Sequence, residues 1–148
     1  MERALELAQH AATQDEVPIG AVIVNPQTDE IIGEGFNLCE HSADATAHAE
    51  LTAIQAACQK LGSNRLRNMD LYVTLEPCTM CAAAISFARI ENLYFGATDT
   101  KGGAVVSGVR FYQSDTCHHR PNVQGGILEL QCSNLLKDFF RHKRKIKN

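Results

Sequence analysis

Residues 1–15 place Leu5, Ala8, Ala11 and Ala12 on one face at helical spacing, so the chain opens on an amphipathic helix. Val17-Pro18 ends it, because proline disfavours helix in the residue before it. Two apolar, β-branched runs follow at 20–24 and 30–36. The turn residues Asn25-Pro26-Gln27-Thr28-Asp29 separate them, which predicts a hairpin. A second helix is expected over 47–61, stopped by Gly62, then a short buried strand over 71–74. A third helix over 78–88 and a strand over 92–96 come next. The pattern breaks down over 102–120 and allows a short strand near Val123. Ser133 or Asn134 is a natural cap for a last helix carrying Leu135, Leu136, Phe139 and Phe140. This order predicts a mixed sheet sandwiched between helices.

At 148 residues, with no repeat and no linker, one domain spanning 1–148 is expected. The hydrophobic share of 45% and charged share of 21% are those of a chain with a real core. No long apolar run or signal-peptide pattern occurs, which predicts a soluble, cytoplasmic protein without a membrane partner. In a reducing compartment, closely spaced cysteines point to metal binding or catalysis, not to disulfides. The net charge of −3 is uneven: residues 137–148 carry +5 and the rest −8. On charge alone, a solvated, fraying C-terminus is favoured over a polyanion contact.

Two short segments carry the candidate chemistry. They are His48-Ala49-Glu50 and Glu76-Pro77-Cys78-Thr79-Met80-Cys81, each at the entrance to an expected helix. Cys78 and Cys81, at i and i+3, share one face of a first helical turn. The unpaired amides there favour thiolates. His48 supplies a third donor. Three protein ligands leave a fourth position for water, the pattern of a catalytic metal site, whereas a structural site closes with four. Glu50, two residues from His48, reaches such a water only if the metal sits at the helix mouth. There it would carry the water proton. The other cysteines are less telling. Cys58 suits an apolar helix face, Cys132 a core or helix-surface position, and Cys39 and His41 a loop. Cys117-His118-His119 looks like a second metal site, but consecutive residues rarely converge on one ion.

The pair H-x-E and P-C-x-x-C is the signature of zinc-dependent nucleobase deaminases. The chain further resembles the bacterial tRNA-specific adenosine deaminases. The resemblance is carried by Asp15-Glu16-Val17-Pro18-Ile19-Gly20-Ala21-Val22, Gly33-Glu34-Gly35-Phe36-Asn37 and Thr46-Ala47-His48-Ala49-Glu50. Leu71-Tyr72-Val73-Thr74-Leu75-Glu76-Pro77-Cys78 and Phe139-Phe140-Arg141 extend it over nearly the whole chain. Lys101-Gly102-Gly103 departs from some relatives, and the N-terminal extension of some members is missing.

That resemblance implies a cytidine-deaminase-like three-layer α/β/α sandwich with a five-stranded mixed sheet. It implies one zinc ion per subunit, held by His48, Cys78 and Cys81, with Glu50 as catalytic acid and base. The implied reaction converts adenosine to inosine at the wobble position of a tRNA anticodon, classically in an arginine tRNA, by a cytoplasmic homodimer. Asn37, Asp99, Lys101 and Phe140 are implied substrate contacts. Arg141, Lys143 and Arg144, in a basic helix or tail from about 134, are implied RNA contacts, with no DNA partner. A deaminase of free guanine, cytosine or cytidine would share fold, zinc and Glu50. A non-catalytic zinc-stabilised module would need a fourth protein ligand.

Overall fold

The computed structural model describes residues 1–148. Its elements run α1 (Glu2–Thr13), β1 (Gly20–Asn25), β2 (Glu30–Phe36), α2 (Ala49–Leu61), β3 (Asp70–Leu75), α3 (Thr79–Phe87) and β4 (Asn92–Ala97). A 3-10 turn (Phe111–Gln113), β5 (Asn122–Gln124) and α4 (Glu129–Lys147) complete the chain. The five strands form one sheet in the order β2-β1-β3-β4-β5. β1 is antiparallel to both β2 and β3, while β3, β4 and β5 are parallel.

Alternation along β1 builds the layers. Ala21 and Ile23 face a core shared with Ala49, Ala53 and Ala57 of α2 and Ala82 and Ile85 of α3. Val22 faces the other way, onto Ala4 and Leu7 of α1. α4 packs beside α1 over β3 and β4. Helices therefore cover both faces of the sheet, as the order of elements predicts. No helix is long and apolar enough to cross a membrane.

Two glycines seat the helix that matters most for function. A Cβ on Gly33 would lie 2.4 Å from the Ala53 carbonyl oxygen, and one on Gly35 2.3 Å from that of Ala49. Only glycine lets β2 approach α2 this closely, which fixes the start of α2 against the sheet.

The helix starts differ from the expected ones. α2 begins at Ala49, with His48 as its extended N-cap (φ −73°, ψ 153°), two residues later than the pattern suggests. α3 begins at Thr79, with Cys78 as its N-cap. α4 begins earlier, at Glu129, behind Leu128 in the left-handed region (φ 51°), not behind Ser133 or Asn134. Packing overrides the capping signal there. Cys132 is buried and its Sγ would lie 2.4 Å from a Cβ on Gly96, so the first turn of α4 is pressed onto β4.

Candidate active site and metal centre

The sheet brings two helix starts together. His48 caps α2, and its carbonyl accepts the Thr52 amide at 3.0 Å. Cys78 caps α3, directly after β3, and its carbonyl accepts the Ala82 amide at 2.8 Å. Cys81, one turn further on, is buried. The ligand atoms of His48, Cys78 and Cys81 all lie within 4.8 Å of one another, and no other His, Cys, Asp or Glu joins them. His48 Nδ1 is 3.6 Å from Cys78 Sγ and 3.5 Å from Cys81 Sγ. Tetrahedral zinc, with Zn–S about 2.3 Å and Zn–N about 2.05 Å, sets its nitrogen and sulfur ligands about 3.55 Å apart. The donor set and its spacing fit that ion.

Electrostatics around the cluster follow from burial and helix starts. Cys78 titrates low, at about 5, because the Cys81 thiol and the first amides of α3 hydrogen-bond its sulfur, with His48 nearby. Cys81 moves in the opposite direction. Donating to Cys78 and sitting buried beside Glu50 both hold its proton on. Glu50, in the first turn of α2, is 4% exposed. Burial raises its carboxyl pKa, against hydrogen bonds from its own amide and from Cys81.

An open cleft of about 650 Å³ leads to His48 and Ala49. Its walls include Glu16, Asn37, Cys39 and His41 on one side and Phe139, Phe140, Lys143 and Lys147 of α4 on the other. Asn37 is buried at the end of β2. Phe140 is 44% exposed and Phe139 half-buried, and both rings line this cleft, 5.4 Å apart. Lys143 pairs with Asp15 at 2.5 Å, and its Nζ stands 5.6 Å from the Phe139 ring centre. Arg141 pairs with Asp138, and Arg144 is exposed. Asp99 and Lys101 lie on the loop after β4 and do not line this cleft. Asp99 Oδ1 accepts the Lys101 and Gly102 amides at 3.1 and 2.9 Å, an Asx turn.

The remaining cysteines form no second centre. Cys117 is buried, His118 is exposed, and His119 Nε2 bonds the Ile90 carbonyl at 2.7 Å, so their donors diverge. Cys58 packs against the main core.

Two buried carboxylates were not singled out by motif. Glu76, next to Pro77-Cys78, accepts the amides of Asp99, Val105, Val106 and Ser107 and the Ser107 hydroxyl, at 2.9 to 3.1 Å. It ties the metal-ligand turn to the loop over 99–107, which sequence pattern left undefined. Glu16, 1% exposed, accepts the His41 amide at 2.7 Å. Both glutamates stand inside the quoted resemblance segments, but only tertiary contacts disclose their partners.

Glu16 also makes stability depend on pH. Burial alone would raise its pKa, but the amides of His41 and Glu40 and the His41 ring outweigh it and hold the pKa below the ordinary 4.5. A depressed carboxylate stabilises the fold above its unfolded pKa and loses that contribution as pH falls through its folded one. The melting-temperature gap between wild type and Glu16→Gln should be widest near neutral pH and narrow below about pH 4.5. Melts that keep a constant gap down to acid pH would contradict this.

Comparison with known proteins agrees with this geometry. The MafB19-like deaminase family matches residues 1–144. A tRNA-specific adenosine deaminase of Agrobacterium fabrum is 56% identical over 144 residues, covering 97% of this chain and 93% of the relative. A solved tRNA:A34 deaminase, studied for A-to-I editing at the wobble position of transfer RNA, superimposes with a TM-score of 0.89 at 55% identity. That match covers 92% of this chain and 97% of the solved one. A guanine deaminase from Bacillus subtilis is more distant, with a TM-score of 0.64 and 33% identity over 97% of this chain and 90% of its own. With near-complete coverage, and an identity far above that to the guanine deaminase, the chain belongs to the tRNA-specific adenosine deaminases within the MafB19-like deaminase family.

Proposed function

We infer that this chain hydrolyses adenosine to inosine at the wobble position of a tRNA anticodon, releasing ammonia. The observation that carries this is the three-donor centre beside a buried Glu50, whose His48 lines a cleft walled by a basic helix. His48, Cys78 and Cys81 would hold one zinc ion per subunit. Bound there, zinc supplies Lewis-acid activation and lowers the pKa of a water towards neutrality. Glu50 takes the first water proton on its carboxylate and delivers it to the purine ring nitrogen, then takes the second proton from the hydroxyl added at C6 and passes it to the leaving amine, which departs as ammonia. Burial pushes the Glu50 carboxyl up from its ordinary value, which makes its carboxylate a better proton acceptor.

Asn37, buried at the cleft wall beside His48, hydrogen-bonds the target nucleoside. Phe140 stacks on a flanking base, an interaction worth about 1–3 kcal/mol. Asp99 and Lys101 meet the neighbouring sugar and phosphate from the loop after β4. An anticodon loop suits the site because its bases are already partly unstacked and cost little to flip. An arginine tRNA is the expected substrate. The protein works as a homodimer in the cytoplasm. Exposed Phe87 (71%) and Val109 (66%) support a protein contact, and six free cysteines suit a reducing compartment.

Arg141, Lys143 and Arg144 meet backbone phosphates. Replacing all three with Gln should weaken stem-loop binding and flatten the salt dependence of log K by about 2–3. An unchanged slope would remove these residues from the RNA contact.

The substrate class is tested by parallel turnover of a wobble-adenosine stem-loop and of free guanine, cytosine, adenosine and cytidine. Conversion of the stem-loop alone is expected. Turnover of a free base or nucleoside with the stem-loop untouched would keep the chemistry and replace the substrate.

A further inference from the structure

Glu16 is a nearly inaccessible carboxylate at the wall of the cleft, 1% exposed, in the connection between α1 and β1. It is not a metal ligand and has no Lys or Arg partner. A buried anion is costly unless hydrogen bonds compensate it. Those bonds come from Asn37, His41 and the Glu40 amide, all at the cleft wall. Oε1 accepts the His41 amide at 2.7 Å and stands 3.2 Å from His41 Nδ1. Oε2 accepts Asn37 Nδ2 at 3.4 Å.

The bond to Asn37 fixes an orientation as well as a position. The Asn37 backbone is held by its amide donating to the Ile19 carbonyl at 3.1 Å. Its side-chain amide has two faces that differ only in which atom donates. An ionised carboxylate only accepts, so the NH2 must turn towards Glu16, because the reverse would set Oδ1 against a carboxylate. On the other side, Cys39 Sγ donates to Asn37 Oδ1 at 3.0 Å in this orientation; a thiol can also accept, so it does not fix the orientation by itself. Glu16 takes one Nδ2 hydrogen. The second Nδ2 hydrogen and a free lone pair on Oδ1 remain for a ligand.

We propose that Glu16 is a positioning residue that sets which hydrogen-bonding face Asn37 presents to the target nucleoside. The proposal rests on Asn37 being a substrate contact, as inferred above. Glutamine at position 16 removes the constraint. Its Oε1 can serve the His41 amide while its NH2 faces Asn37, and Asn37 then flips, exchanging donor and acceptor towards the ligand.

The test is a double-mutant cycle on the zinc-loaded enzyme, read as kcat/KM for the wobble-adenosine stem-loop. Zinc content and thermal melting are measured in parallel. Glu16→Gln should lower kcat/KM by about 5- to 150-fold, as expected when a buried group faces a mispaired partner. In an Asn37→Ala background the same change should cost less than about twofold, because the residue it acts through is gone. A structural role would give equal losses in both backgrounds and would overturn the proposal. If Asn37→Ala alone leaves kcat/KM intact, the substrate role of Asn37 fails, a different signature. Glu16→Asp, which keeps the charge but withdraws it by one methylene, is carried through the same cycle. If neither variant folds with native zinc content, Glu16 is a structural residue and the proposal is overturned.

Discussion

Glu50→Gln should abolish measurable editing while leaving the metal and the fold in place. The carboxylate is 4% exposed, in the first turn of α2, and is not one of the three clustered donors. Gln preserves shape and hydrogen bonding to Cys81 but cannot take up and return a proton. General acid–base catalysis by one side chain is worth on the order of 10²–10⁴-fold. Here the same group serves two proton transfers, so the loss should lie at or beyond the top of that range. Glu50→Ala should behave alike in turnover. The check is single-turnover inosine formation alongside zinc analysis by mass spectrometry. Near-normal turnover in a zinc-replete variant would strip Glu50 of its role.

Cys81→Ala should have the largest effect on stability. Cys81 is buried, one helical turn from Cys78, and its Sγ lies 3.5 Å from His48 Nδ1. Removing it leaves two donors for an ion that needs three from the protein. Ligand binding stabilises by mass action, about 4.1 kcal/mol when free metal is a thousandfold above its Kd. In a chain of this length, losing that amounts to a fall in melting temperature of about 8–16 °C. Chelation of the wild type should give a similar fall, whereas the variant, already metal-free, should not respond to chelator. Stoichiometric zinc in Cys81→Ala, or a melting temperature indifferent to chelator in the wild type, would place the metal elsewhere.

The parts of this protein legible in its sequence are the local ones. The apolar, β-branched runs of β1 and β2, Gly62 at the end of α2 and the i, i+3 spacing of Cys78 and Cys81 each follow from a short stretch of chain. The grouping of His48 with the two cysteines was legible only through paired motifs, since 30 residues separate His48 from Cys78. What escaped depends on contacts between distant segments. α4 begins at Glu129, behind Leu128, because Cys132 packs against Gly96, which no capping preference records. The loop over 99–107 has no periodicity of its own and takes its shape from one buried acceptor, Glu76. Glu16 reads as one more acid in an acidic stretch until β2 and the loop after it bring Asn37 and His41 against it. Asp99 reads equally as substrate contact or turn former in sequence, and its observed hydrogen bonds are those of a turn.

The most direct test of the central claim is editing of a wobble-adenosine anticodon stem-loop in oxygen-18 water, followed by digestion and mass analysis of the nucleosides. Hydrolytic deamination at that position predicts inosine carrying one heavy oxygen, absent from a stem-loop with guanosine at the wobble site and from the Glu50→Gln reaction. Adenosine left unchanged in the stem-loop by the zinc-loaded enzyme, or inosine without the heavy oxygen, would contradict it.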